Sequence, residues 1–436
     1  MSNIDYSDPN NTPPIGQAVP LGLQHVLAMF ASNVTPSIIV AGAAGLAFGG
    51  AEQIYLIQMA MLFAGIATLF QTIGIGPIGA RLPIMQGTSF AFVGVLAGVA
   101  ATQGLSVALT ACIIAGLIHF SLGSVIQKLR FMFPPLVTGL VILAIGLYLI
   151  PVAIKYAAGG AADFQMAADS FGSLLHWTVA LTVVVVSLAC KFMTKGLISN
   201  AAILIGLIAG YIVAVFSGMV SFGGVENAKW FQLPAVMPYG FEFSLGAVIG
   251  VTLVSLVSAI ETIGDTSATT KAGSERDATD AEISGATYAD GLGTAVAGVF
   301  GGLPNTSFSQ NVGIVGMTGI MSRHVVTIAG IIMIICGLIP KIGAVISSMP
   351  LPVLGGGVIV MFGMVAAAGM NMLSTVSMNR RNMIIISVSL AVGLGLNLVP
   401  SAVQHLPGIW KTLATSAVAP TALLAVIMNL VLPEDD

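Results

Sequence analysis

Leu303–Arg323 reads LPNTSFSQNVGIVGMTGIMSR and sets Asn305, Thr306, Ser307, Ser309, Gln310 and Asn311 almost side by side in an otherwise apolar chain. Carboxamides and hydroxyls at that density offer donors and acceptors to a small polar molecule. Hydrocarbon satisfies none of them, so a lipid-exposed span cannot carry the run. Pro304 makes Leu303–Ser309 read as extended. Asn311–Ile320 reads as a helix of about two to three turns, too short to cross roughly 30 Å of hydrocarbon. A half-helix that starts inside the membrane exposes N–H groups and the positive end of its dipole, which can hold a ligand. The alternative is a re-entrant loop packed wholly in protein.

Ionisable side chains at membrane depth are the next candidates, because a buried charge is costly unless it has work to do. Glu261 and Asp265 stand four apart, on one helical face, in VSAIETIGDTSATT. Two carboxylates in a partly dry site repel, and a carboxyl that keeps a proton at neutral pH suits proton coupling. A helix-end structural acid is the alternative for either. Asp290, in YADGLGTAVAG, reads equally as a partner to the broken segment or as a coupling acid. His25, after Gln24 at the head of an apolar run, is either a packing residue or a proton partner to the broken segments.

These residues need elements to hold them, and the chain supplies them twice. Leu82–Gly94, LPIMQGTSFAFVG, matches Leu303–Gly313, LPNTSFSQNVG; the Thr-Ser-Phe triplets start at Thr88 and Thr306, an offset of 218. Pro135–Gly146 matches Pro352–Gly363 at an offset of 217. Two matches at nearly half the 436-residue length imply an internal duplication. Interrupted segments at matching places in two halves point to a transporter binding site.

Apolar runs predict about fourteen membrane spans, seven per half, with the third (Phe90–Ala101) and tenth (Asn311–Ile320) short and broken. An odd number per repeat inverts the second half. The expected fold class is therefore an all-α polytopic membrane protein, a 7+7 inverted repeat with short extended stretches before spans 3 and 10. Loops after even-numbered spans hold ten Lys and Arg, and those after odd-numbered spans hold four (Lys155, Lys229, Lys341 and Lys411). The positive-inside bias puts the even loops and both termini in the cytoplasm.

The chain is 56% hydrophobic and 7% charged, against about 25% charged residues in a soluble domain. The net charge of −3 comes with no basic patch, so no nucleic-acid partner is expected, and membrane lipid surrounds the spans. The first residues, MSNIDYSDPNNTPPIGQ, lack the basic start and cleavage site of a signal peptide. Cys112, Cys190 and Cys336 sit in apolar runs as small hydrophobes rather than disulfide partners or metal ligands. No nucleophile–base triad, phosphate-binding glycine loop or metal cluster appears, which argues against an enzyme, a metal or a cofactor.

Gln310-Asn311-Val312-Gly313, four residues, then Thr318-Gly319 resembles the signature of the nucleobase–ascorbate transporter family, also called nucleobase:cation symporter-2. Gln24-His25, Thr88-Ser89-Phe90 and Glu261-Thr-Ile-Gly-Asp265 resemble further marks of that family, and the likeness spans nearly the whole chain. The resemblance implies a cytoplasmic tail at 1–20, a core domain from spans 1–4 (21–125) and 8–11 (223–342), and a gate domain from spans 5–7 (126–222) and 12–14 with the C-terminal tail (343–436). It implies a homodimer through the gate domain in the cell (inner or plasma) membrane.

By the same resemblance Glu261 binds the base and Gln310 contacts the substrate. Phe90 and Ser309 bring backbone groups to the base, Asn311 is the signature asparagine, and His25 is linked to proton coupling. Beside the resemblance, Phe90 and Phe308 offer rings that pack near the base or serve as plain core, and Asp265, Asp290 and Thr88 are candidates for support of the site. Uracil-type members tend to carry Glu where Gln310 stands and His where Asp265 stands, so this pair resembles the xanthine and uric acid branch. The expectation is proton-coupled purine uptake, with sodium as the alternative ion. A uracil symporter of the same family, or an anion exchanger or channel sharing the 7+7 fold, are the competing readings.

Overall fold

The computed structural model describes residues 6–160, 163–164 and 166–433. Every predicted span corresponds to a helix. The first half contains α1 (Ile15–Ala43), α2 (Ala51–Ile73), α3 (Val93–Gln103), α4 (Leu105–Leu122), α5 (Pro135–Ala157), α6 (Leu174–Met193) and α7 (Ala202–Phe216). The second contains α8 (Leu245–Ser274), α9 (Asp280–Val299), α10 (Ser309–Thr318), α11 (Arg323–Leu338), α12 (Leu351–Leu373), α13 (Arg380–Leu398) and α14 (Val418–Val431). Among the described residues eight helices are long and apolar enough to cross a membrane; α11 and the helix Pro340–Ser347 form an apolar pair bent by 79° at Ile339. The protein is a multi-pass membrane protein.

The helix pairing carries the duplication into three dimensions. α2 packs on α11 and α4 on α9, pairs that a half-turn relating α1–α7 to α8–α14 exchanges; α5 packs on α12, its own repeat partner. The contacts are close because small residues line them. A Cβ on Gly116 of α4 would lie 2.5 Å from the backbone nitrogen of Ala295 on α9, and one on Gly337 of α11 would lie 2.4 Å from that of Leu62 on α2. Backbone cannot yield as a side chain can. Gly116→Val is therefore expected to lower the yield of folded protein and its melting temperature in detergent; an unchanged melting curve would contradict this packing.

Two boundaries differ from the sequence expectation. α8 continues to Ser274, well past the apolar run that ends near Gly264, and so takes in Asp265. The extra turns are polar, and within them the Thr269 and Thr270 hydroxyls donate to the Asp265 and Thr266 carbonyls at 2.7 and 3.3 Å. α1 starts at Ile15 behind Pro14, ahead of the apolar run that begins near Leu21. Tyr6 and Pro9 carbonyls accept from the backbone N–H groups of Met321 and Arg323 at 2.8 and 2.9 Å, fastening the tail beside α10.

The broken segments do more than pass each other. Gln86–Thr88 (β1) and Asn305–Ser307 (β2) form an antiparallel two-stranded ladder, Gly87 opposite Thr306. Ser89 N–H to Pro304 C=O (2.9 Å) and Phe308 N–H to Met85 C=O (3.0 Å) extend it at both ends. Backbone with no helix of its own is thereby satisfied within the protein, the condition for irregular chain at membrane depth.

Candidate functional site

From that ladder the two half-helices run in opposite directions. Phe90–Phe92 forms a 3₁₀ turn that leads into α3, and Phe308 caps α10, which starts at Ser309, two residues earlier than the sequence indicates. Between the two starts lies a cavity of about 210 Å³. Thr88–Ala91 and Thr306–Gln310 form its floor, and Glu261 of α8 forms one side. Ile142 and Ile145 of α5 with Met364, Val365 and Ala368 of α12 close it with an apolar wall. Glu261, Gln310, Phe90, Phe308, Ser309 and Thr88 thus meet in one place. Ser309 is exposed to the cavity, Gln310 and Glu261 are half-buried, and Phe90 and Phe308 are buried.

The remaining candidates lie behind this surface. Asp265 turns from the cavity and accepts from Ser307 Oγ at 2.6 Å and Ser309 Oγ at 2.7 Å, tying α8 to the start of α10. The two acids on one helical face are divided: Glu261 lines the cavity, and Asp265 holds the broken segment. Asn311 Nδ2 donates to the His25 carbonyl and meets His25 Nδ1, each at 3.0 Å, so the ring accepts at Nδ1 and α1 is joined to α10. Asp290 is fully buried and accepts from Gln86 Nε2 at 2.6 Å, from Gln71 Nε2 at 3.1 Å and from the Thr262 hydroxyl. That one carboxyl joins α2, β1, α8 and α9.

Sequence reasoning missed Asn33, Gln71, Gln86 and Thr262. Asn33 of α1 takes the Thr88 N–H at Oδ1 (2.8 Å) and donates to the Ala60 carbonyl (3.0 Å), which pins the Thr88 end of β1. Thr68 Oγ accepts from the Gln86 N–H at 2.9 Å and pins its other end. The signal was there: each is a polar side chain inside or beside an apolar run, where a polar group requires a partner. The neutral carboxamides do much of the positioning.

Chemically the cavity offers a carboxylate, a carboxamide, hydroxyls, two helix starts and two aromatic rings. It suits a small planar molecule with mixed donor and acceptor edges. The fold and this site, set where two broken spans meet, define a secondary transporter.

The model of the permease family that comprises the nucleobase–ascorbate transporters matches residues 16–430, and the chain belongs to that family. It is 38% identical to the uric acid permease PucK of Bacillus subtilis (strain 168), over 95% of each chain. It is 35% identical to the xanthine permease of the same organism, over 95% of this chain and 94% of that one. Against the xanthine permease XanQ of Escherichia coli (strain K12) the identity is 32%, over 99% and 96%. The transmembrane domain of a cyanobacterial bicarbonate transporter, BicA, shares the fold with a TM-score of 0.63 at 14% identity, covering 95% of this chain and 97% of that one. The murine Slc26a9 anion transporter in its inward-facing state gives 0.60 at 13% identity, covering 96% and 69%. The fold class is the expected all-α polytopic membrane protein, and its fold is that of these inverted-repeat transporters. The family is one of transporters and not of enzymes.

Proposed function

We propose that the protein is a purine nucleobase importer, taking xanthine or uric acid up across the plasma membrane with a proton. The observation that carries this is the pairing of Glu261 and Gln310 across one small cavity between two half-helix starts. A purine lactam edge has an adjacent N–H and C=O, which a carboxamide complements at both positions. The Glu261 carboxylate accepts from an N–H on another edge, a charge-assisted bond stronger than a neutral one. Phe90 and Phe308 flank the ring, and Ser309 with the helix-start N–H groups receives a carbonyl or a partly anionic purine. Family membership at 32–38% identity to xanthine and uric acid permeases supports the same substrate class.

Spans 1–4 and 8–11 form the moving core, and spans 5–7 and 12–14 form the gate and the dimer contact. Both termini lie in the cytoplasm, as the positive-inside bias and an even span number agree. Glu261 binds, while Asp265, Asp290, Asn311, His25 and Thr88 hold the binding surface in register with proton movement.

Uptake of labelled xanthine by cells expressing the chain tests this, with unlabelled urate, uracil and hypoxanthine as competitors and with a protonophore added. Xanthine uptake collapsed by the protonophore and untouched by uracil is the expected result. Competition by uracil would assign the site to pyrimidines. Anion flux without uptake of any base would leave the fold and remove the substrate.

A further inference from the structure

The first turn of the third span is not held by the helix alone. Gly94 N–H, which a regular α-helix directs at the carbonyl four residues back, donates to the hydroxyl of Tyr148 at 2.9 Å. The same hydroxyl reaches the Phe90 carbonyl at 3.4 Å. Tyr148 belongs to α5, across the proposed division between gate and core, and is buried. Its hydroxyl therefore sits within the hydrogen-bond ladder of another helix, where that helix is wound as 3₁₀ from Phe90 to Phe92 before α3 begins at Val93. Inserted groups and 3₁₀ turns are places where a helix can change its winding. Gly94 leaves the room: a Cβ there would lie 3.1 Å from Tyr148 Cε2 and Oη and 3.3 Å from the Ser416 carbonyl.

Phe90 is thus gripped twice from the gate side. Its carbonyl faces Tyr148, and its ring meets Phe362 of α12 edge-on, centroids 5.2 Å apart. The second half has no such grip at the matching place. The residue 217 positions after Tyr148 is Val365, which has no hydroxyl, and the start of α10 is closed by its own backbone, with Asn311 N–H on the Phe308 carbonyl at 2.9 Å. The duplication makes the two helix starts alike; Tyr148 makes them different.

We propose that Tyr148 is a positioning residue that ties the first turn of the third span, and with it Phe90, to the gate domain. When core and gate shift, the Gly94 N–H leaves Tyr148 and closes on the Phe90 carbonyl, so the turn rewinds towards α and Phe90 moves against the substrate. The geometry of the binding surface is then set by the position of the domains. This rests on the purine-transport reading and goes beyond it, since no contact of Tyr148 with substrate is involved.

The test is a double-mutant cycle of Tyr148→Phe, which removes only the hydroxyl, and Gly94→Ala, which displaces the ring. Uptake of labelled xanthine is expected to show KM raised about 3–10-fold in each single variant, the size of one lost hydrogen bond, with protein level unchanged. The double variant is expected to be no worse than the poorer single one, because both break the same tie. Wild-type KM and Vmax in Tyr148→Phe, or additive effects in the double variant, would overturn the proposal. The same cycle read as melting temperature in detergent needs no substrate, and non-additivity is expected there too; additive melting shifts also overturn it. Wild-type protein that transports no purine at all defeats the substrate reading instead, and the melting cycle still decides the tie.

Discussion

Glu261→Gln is expected to abolish purine uptake while the protein still reaches the membrane. The side chain changes little in size, so α8 and its packing survive. What goes is the carboxyl that lines the cavity opposite the apolar wall of α5 and α12. A hydrogen bond to a charged group contributes about 1.5–3 kcal/mol, and each 1.4 kcal/mol is tenfold in affinity. Binding alone should therefore weaken roughly 10- to 150-fold, and loss of a proton-exchanging group adds to the fall in uptake. Initial rates at subsaturating xanthine, normalised to membrane-inserted protein, measure it. Full activity of the variant would remove Glu261 from both binding and coupling. Glu261→Asp, which keeps the charge but withdraws it, is expected to retain partial uptake with a raised KM.

Asp290→Ala is the second large effect, and it falls on the fold around the site. The carboxyl accepts from Gln71, Gln86 and Thr262 in a fully buried position. Truncation leaves these donors facing each other across a void. One unsatisfied buried polar group costs about 1–3 kcal/mol, so several approach the 5–15 kcal/mol that holds an ordinary domain folded. Little folded protein is expected from Asp290→Ala. Asp290→Asn should be much milder, because its Oδ1 still accepts from both glutamines and its amide can donate to the Thr262 hydroxyl. Expression level and detergent melting temperature compare the two. Equal, mild loss in both would show that Asp290 does not hold β1 in place.

Much of this was legible because the bilayer restricts what a sequence can be. Apolar runs located the helices, and the length and composition of Asn311–Ile320 marked a span that could not cross. A repeat offset near 218 residues then fixed the inverted architecture, since seven spans per half leave no other orientation. Glu261, Asp265 and Asp290 stood out for the same reason: acids are scarce in such a chain, with only 17 carboxylates in 436 residues. The signature run from Gln310 to Gly319 supplied the family.

Tertiary structure decided how those residues divide their work. Spacing put Glu261 and Asp265 on one face, and nothing in the sequence said that Ser307 and Ser309 would take Asp265 away from the cavity. That β1 and β2 pair with each other, and that Asn33 and Thr68 pin the ends of β1, follows from contacts between residues 18 to more than 200 positions apart. The placement of Tyr148 beside Gly94 arises in the same way, from a close approach that a glycine permits and a hydroxyl exploits. Local sequence fixes where a helix can form because its bonds run four residues back. Which side chains satisfy the backbone where helices break depends on neighbours brought near only when both halves have folded together.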